Sequence, residues 1–268
     1  MHCVPKFQYI LLIFVLFQTN IFPQSPYSLD AGREIAIFGG GVLLGVVDAK
    51  LIENKKSVSK DELYTLSRKN INSFDRGATY NWSLSDADWS DVLLLTAIAS
   101  PLLMFTSSEV RNDVGTFSTM YLQNILTTYS VSHLPKGLIS RYRPYVYNED
   151  VPDEIKQNVS ATHSFFSAHA SVSFASAVFL STTFSKYYPD SDLKPYVWSS
   201  SLLLAATVGY LRYTAGQHFP TDIITGAIVG SIIGYLIPLI HESDKEEKEL
   251  IDPAGNPYNN LISFNIKF

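Results

Sequence analysis

The sequence contains very little cysteine and no excess of basic residues. Its single cysteine is Cys3, so the chain can form neither an internal disulfide nor a metal site built from several cysteines. The formal net charge is −5 at pH 7, which gives no support to a nucleic-acid partner. Charged residues make up only 17% of the chain and hydrophobic residues 46%, which is more apolar than a typical soluble enzyme. A length of 268 residues suffices for one domain with a sizeable core.

The first residues have the pattern of an export signal. Lys6 precedes a short apolar run at 9–17, and polar residues follow this run. The pattern predicts a signal peptide over 1–24 that is cleaved, because the run is short for a membrane-spanning helix. An uncleaved anchor is the alternative. The remaining chain is then expected to form one helical domain over 25–252 and a tail over 253–268, where alternating apolar and polar residues predict a single strand.

Six apolar segments predict an all-α bundle. Their expected bounds are 33–52, 91–107, 113–134, 167–184, 196–213 and 220–240. Pro101 is expected to kink the second of these helices. In the sixth, Gly226, Gly230 and Gly234 recur every four residues and predict close contact with a neighbouring helix. The polar segment 137–165 is expected to be a long loop that forms the wall of a substrate mouth.

One polar stretch between two apolar segments holds Arg212, His218 and Asp222. If Pro220 lies in the first turn of the sixth helix, Asp222 lies one turn beyond His218 and faces the same way. The carboxylate can then hold one imidazole nitrogen, as suits a histidine nucleophile or base. Taken alone, this stretch fits a polar turn with a capping aspartate better than a catalytic site.

Two further stretches favour catalysis. Lys136 and Arg143 stand seven residues apart, and Ser167-Ala168-His169 opens the fourth apolar segment. With the first stretch they supply three cations, two histidines, a serine and a carboxylate, all at helix ends. Such groups can bind a phosphate and attack it. In an up-down bundle these helix ends lie together, so the periodicity predicts one pocket.

Metal chemistry is the main alternative for these residue types. A zinc site can be drawn from His163, His169, His218 and Asp222 by ligand type alone. The three nearby cations argue against such a site, and no metal or other cofactor is expected. Arg141 and His163 are secondary candidates for the site, whereas His133 and His241 are expected to be structural.

The motifs K-x6-R-P, S-x-H and R-x5-H-x3-D, in this order, resemble the type 2 phosphatidic acid phosphatase (PAP2) superfamily. That superfamily includes lipid phosphatases, soluble bacterial class A acid phosphatases and vanadium haloperoxidases. The second motif departs from the usual Pro-Ser-Gly-His and reads Phe166-Ser167-Ala168-His169; the third begins Leu211-Arg212 in place of Ser-Arg. The resemblance implies a six-helix PAP2-type bundle with the motif loops at one end.

The resemblance also implies a role for each motif residue. His218 attacks phosphorus and forms a phosphohistidine, Asp222 orients His218, and His169 protonates the leaving oxygen and later activates water. The phosphoryl oxygens are bound by Lys136, Arg143, Arg212, Ser167 and the backbone N–H of Ala168. Fixed cations take the place that Mg²⁺ has in other phosphoryl-transfer enzymes.

The implied substrate is a lipid phosphate or diphosphate, handled at a membrane by an exported active site that faces the periplasm. A soluble periplasmic acid phosphatase of broad specificity is the principal alternative. A vanadium haloperoxidase and a non-catalytic helical membrane protein also remain open.

Overall fold

The computed structural model describes residues 25–243, and the regular elements in this part of the chain are all helices. Six of its ten α-helices are long: α1 Ala31–Glu53, α4 Leu84–Ala99, α6 Val114–Leu138, α8 Ala168–Tyr187, α9 Lys194–Thr214 and α10 Pro220–Ile240. Four are short: α2 Lys60–Thr65, α3 Ser73–Arg76, α5 Ser108–Asn112 and α7 Asp153–Lys156. The all-α prediction is confirmed, and the sequence-based count omitted the short helices. The expected signal peptide and the strand-like tail lie outside the described residues.

The largest difference from the predicted bounds is at α4, which begins at Leu84 instead of 91. The Ser83 side chain accepts a hydrogen bond from the Asp86 N–H at 3.1 Å and caps the helix earlier. The α-helix ends at Ala99 and continues as a 3-10 helix over Ser100–Thr106. The effect of Pro101 is thus a change of helix type, since proline lacks the N–H that an α-helix needs.

The expected loop over 137–165 also contains short helical turns. They are a 3-10 helix at Pro144–Tyr147, the helix α7 and a second 3-10 helix at Val159–Thr162. These turns satisfy backbone groups locally, which lets the segment fold back over the end of the bundle.

Helix α8 lies at the centre of the bundle, with 13 of its 20 residues buried. Its many alanine and serine residues allow neighbouring helices to approach closely. The glycine stripe of α10 packs against it, and a Cβ added at Gly230 would lie only 2.0 Å from the Ser171 carbonyl oxygen. The predicted close contact along this stripe is confirmed.

The long helices alternate in direction, so α1, α6 and α9 end where α4, α8 and α10 begin. Contacts between α4 and α9 show this directly, because Arg212 near the end of α9 donates to Ser90 near the start of α4 at 3.1 Å. Likewise Lys55, just after α1, donates to the Ile139 carbonyl just after α6 at 2.9 Å. All motif residues therefore belong to one end of the bundle, here called the motif end.

Three helical stretches are long and apolar enough to cross a membrane: α1, Leu84–Thr106 and α10. Large apolar side chains on these stretches are exposed, among them Ile35, Leu43, Leu95, Leu103 and Ile228. Exposed apolar surface on this scale is typical of contact with lipid. The protein is therefore membrane-associated.

Candidate active site

The loop between α9 and α10 carries His218 and is fixed by Gly216. Gly216 has φ +69°, and a Cβ at this position would lie 2.2 Å from the Asn81 carbonyl oxygen. Its carbonyl accepts a hydrogen bond from the Tyr145 N–H at 2.9 Å. The close approach and the positive φ both require glycine, and they bind the loop to the segments that precede α4 and follow Arg143.

His218 is buried, and its Nδ1 lies 2.8 Å from the Ser164 carbonyl oxygen. A carbonyl can only accept, so Nδ1 carries the proton and Nε2 keeps its lone pair. Burial, together with the charges of Arg143, Arg212 and Lys136, holds the pKa of His218 well below its usual range. The imidazole is therefore neutral near pH 7, as a nucleophile must be.

Asp222 supports His218 through Ser164. Its Oδ2 lies 3.7 Å from Nδ1 of His218, beyond hydrogen-bond distance. The same oxygen accepts from the Ser164 hydroxyl at 2.6 Å and from the Phe219 N–H at 2.9 Å. The sequence predicted a direct hydrogen bond from the imidazole to Asp222. In the structure the Ser164 carbonyl accepts this hydrogen bond, because the carboxylate oxygen of Asp222 caps the start of α10.

Three cations surround the imidazole. Arg143 and Arg212 both donate to the side-chain oxygen of Gln217, at 3.4 Å for Arg212, and Lys136 is buried in the last turn of α6. The Nε of Arg212 is buried and has no hydrogen-bond partner. Like charges this close favour an anion between them, and an unpaired buried donor is a place where an anion can bind.

His169 is paired with the carboxylate of Asp91, which also lies near Arg212. Its Nε2 lies 2.7 Å from Oδ1 of Asp91, and the same oxygen lies 3.6 Å from Arg212. A carboxylate only accepts hydrogen bonds, so Nε2 of His169 carries a proton. Burial, followed by the charge of Arg212, lowers the pKa of His169 to about 3, against the opposite effect of Asp91. The ring is therefore neutral here, and it acts as a general acid only after it takes up a second proton.

Ser167 and Ala168 form the start of α8. The Ser167 hydroxyl caps the helix by accepting from the Ala170 N–H at 3.3 Å, and the Ser167 N–H donates to the Asp222 carbonyl at 3.1 Å. Ser167 is fully buried, so its hydroxyl serves the helix. Ala168 is the first helical residue, and its N–H is one of the unpaired donors of a helix start.

A family model described as the PAP2 superfamily matches residues 116–245. Over this segment, just under half of its length, the chain is similar to the PAP2 superfamily. The matched segment contains every motif residue from Lys136 to Asp222, which lie at or near the ends of α6 and α9 and the starts of α8 and α10. Helix α1, and α4 with its Asp91, lie before it.

A curated relative is the lipid A 4'-phosphatase of Porphyromonas gingivalis. It is 27% identical over 158 residues, which are 58% of this chain and 62% of the relative. The match therefore spans less than two thirds of the relative's length. A crystal structure of a transmembrane PAP2 type phosphatidylglycerolphosphate phosphatase from Bacillus subtilis aligns with a TM-score of 0.40 at 18% identity, covering 82% of this chain and 98% of that one.

Behind the PAP2 motifs lies a charge network that the sequence did not predict. Arg141 donates to Asp222 and, at 2.8 Å, to Asp75, which is fully buried. Asp75 also accepts from the Thr221 N–H at 3.1 Å and from its hydroxyl at 2.7 Å. One guanidinium thus joins two buried carboxylates and fixes the start of α10, the helix that follows His218.

Asp91 and Gln217 were also missed as contributors to the PAP2 site. The sequence does contain a signal for Asp91, because this charged residue directly precedes the apolar run that begins at residue 92. Gln217 stands next to His218 and looks like an ordinary loop residue. Only the fold shows that its oxygen lies between two guanidinium groups.

The other described histidines contact residues outside the motifs, although the charges of Lys136 and Arg143 reach His133 and His163. His241 contacts Glu34 at 2.9 Å at the far end of the bundle, and His133 stacks on Tyr129. His163 lies in the loop beside Arg141, and burial followed by the charge of Lys55 lowers the pKa of His163 to about 4. Within residues 25–243, no three His, Cys, Asp or Glu side chains are grouped so as to hold a metal ion, so the zinc set drawn from the sequence does not assemble.

Proposed function

We propose that this protein is a phosphatase that hydrolyses phosphate monoesters or diphosphates of lipids. The observation that carries the proposal is the neutral, buried imidazole of His218, with a free Nε2 lone pair and three cations around it. A nucleophile among fixed positive charges suits an anionic electrophile such as a phosphoryl group.

In the proposed reaction, Nε2 of His218 attacks phosphorus and the bond from phosphorus to the lipid oxygen breaks. His169 enters this step as the imidazolium, because the negative charge of the bound phosphate favours its protonated form; it passes one proton to the leaving oxygen, and a phosphohistidine remains. His169 then accepts a proton from a water molecule whose oxygen attacks phosphorus, which releases phosphate and restores both histidines. Throughout, Lys136, Arg143 and Arg212 neutralise the phosphoryl oxygens, a role that a metal ion has in other phosphoryl-transfer enzymes.

The lipid substrate is supported by the apolar surface of α1, Leu84–Thr106 and α10. A bundle embedded by these helices would keep the motif end near the membrane surface, where lipid headgroups lie. The name of the relative from P. gingivalis, a lipid A 4'-phosphatase, agrees with this substrate class. We place the active site on the periplasmic side, on the strength of the export-signal pattern in residues 1–24.

The test is phosphate release by the purified full chain in detergent. The panel contains several lipid phosphates, a lipid diphosphate and a small aryl phosphate, without added metal, and each is assayed beside His218→Ala and the control His133→Ala. We expect release from lipids that is lost in His218→Ala and kept in His133→Ala. Faster release from the small phosphate would favour a soluble-type acid phosphatase, and activity that survives in His218→Ala would refute the proposed nucleophile.

A further inference from the structure

A second cleft lies at the motif end, outside the group of residues around His218. Its volume is about 600 Å³, within the size range of small-molecule sites. It is formed by the connection between α1 and α4 together with residues from Val146 to α7. Five cations line it, Lys60, Arg68, Lys69, Arg76 and Lys156, against the two carboxylates of Glu149 and Asp153. A local excess of positive charge stands out in a chain of net charge −5.

Lys156 is the most informative residue of this basic cleft. Lys156 is only 9% exposed. Within the described part of the chain, its ammonium group makes no hydrogen bond or ion pair with another residue. The stem of the side chain is enclosed by the cleft, while the ammonium nitrogen still reaches water inside it. An anion bound there would replace that water with a charged hydrogen bond.

Arg68 provides the cleft with an unpaired hydrogen-bond donor. Its Nε is buried and has no hydrogen-bond partner. The guanidinium lies 4.6 Å over the Tyr80 ring and 3.9 Å from the exposed Glu149 carboxylate. Tyr80 thus fixes the plane of the guanidinium, while its Nε remains available to an anionic oxygen.

The connection between this basic cleft and the proposed active site is short. Arg76 lines the cleft and is the neighbour of Asp75, which holds Arg141. Tyr147 lines it and ends the 3-10 helix that follows Arg143. The same two segments therefore form one wall of the cleft and support the residues around His218.

We propose that the basic cleft binds a phosphate group that the enzyme does not hydrolyse. This inference rests on the proposed function and deepens it, because it assigns a substrate with two phosphates, one at His218 and one in the cleft. The same chemistry would also bind free inorganic phosphate. Exposed aromatic side chains of Tyr64 and Tyr80 at the cleft suit the sugar of a glycolipid headgroup.

The kinetic test compares two glycolipids of the same acyl composition, one with a single phosphate and one with two, in the same micelles. The variants are Lys156→Gln and Arg68→Gln, and Lys56→Gln is the matched control, an exposed lysine of the same connection outside the cleft. Loss of one charged hydrogen bond predicts a KM about 10- to 100-fold higher for the diphosphorylated lipid. The KM for the monophosphorylated lipid and both kcat values should stay within about twofold, as in the control.

A second arm measures binding without hydrolysis. Inorganic phosphate is titrated calorimetrically into His218→Ala and into His218→Ala carrying Lys156→Gln or Arg68→Gln. Two binding events are expected in the first protein and one in the others; if only this arm responds, free phosphate is the ligand. The inference is overturned if Lys156→Gln and Arg68→Gln behave as Lys56→Gln in both arms. If the wild-type chain hydrolyses neither lipid, the proposed function fails, while the calorimetric arm still decides the cleft.

Discussion

Replacement of Asp222 by asparagine tests how the charge behind His218 contributes to the proposed reaction. In the ground state the imidazole is neutral, so the carboxylate has little charge to stabilise. As Nε2 bonds to phosphorus the ring becomes positive, and its Nδ1 lies 3.7 Å from the carboxylate. An interaction that exists mainly in the transition state lowers kcat when it is lost, and leaves KM nearly unchanged.

The magnitude follows from the separation of the charges. Two unit charges 3.7 Å apart interact by about 4.5 kcal/mol at an effective dielectric constant of about 20. Arg141 bridges Asp222 and Asp75, so the three groups together carry one net negative charge. This reduces the electrostatic attraction that Asp222 can exert on His218. Taking about half, we expect a loss of about 2–3 kcal/mol, or a fall in kcat of about 30- to 150-fold.

Stability should also decrease in Asp222→Asn. The amide oxygen can still accept from Ser164 and Phe219, but its NH₂ group must then face the Arg141 guanidinium, donor against donor. The expected cost is about 1–3 kcal/mol. The assay measures kcat and KM on a lipid phosphate with thermal unfolding in parallel, and Asp88→Asn, an exposed aspartate of α4, is the control. A folded Asp222→Asn enzyme with kcat within fivefold of wild type would refute the reasoning.

Three further predictions follow from single contacts. His169→Gln should lower kcat about 100-fold or more on a lipid phosphate but far less on an aryl phosphate, whose leaving oxygen needs no acid; equal losses on both substrates would argue against His169 as the acid. Gly230→Ala should lower stability by about 1–3 kcal/mol, because its Cβ would meet the Ser171 carbonyl, whereas Gly39→Ala, with nothing within 4 Å, should not; the measurement is thermal unfolding of both variants. Burial alone would raise the pKa of Asp75, but hydrogen bonds from Asn72, Thr221 and Arg141 lower it below its usual value. The stability difference between wild type and Asp75→Asn should therefore be present at neutral pH and disappear as the pH falls through the lowered pKa, below about 4; a difference that persists unchanged at lower pH would contradict this origin.

The sequence was sufficient where a local pattern determines the structure. Apolar segments with polar ends located the six long helices, and the four-residue spacing of Gly226, Gly230 and Gly234 indicated the close contact of α10 with α8. The sequence was insufficient where two acceptors that are distant in the chain compete for the same hydrogen-bond donor. The Ser164 carbonyl is closer to the imidazole than the Asp222 carboxylate, and no spacing in the sequence encodes that choice.

The contributors that sequence reasoning missed share a position in the chain. Asp75 and Asp91 both precede residue 116, where the PAP2 match begins. Asp75 reaches the site because the connection before α4 folds over the motif end, and Asp91 reaches it because α4 begins at that end. The cations Lys60, Arg68, Lys69 and Arg76 of the basic cleft come from the same connection. The PAP2 segment thus supplies the groups that would react with phosphate, while the preceding segment supplies charges that adjust those groups and cations that line the basic cleft. Substitutions of the cleft residues, most of which lie in 54–83, are therefore expected to change substrate choice, and substitutions of the motif residues between Lys136 and Asp222 are expected to change the chemical step.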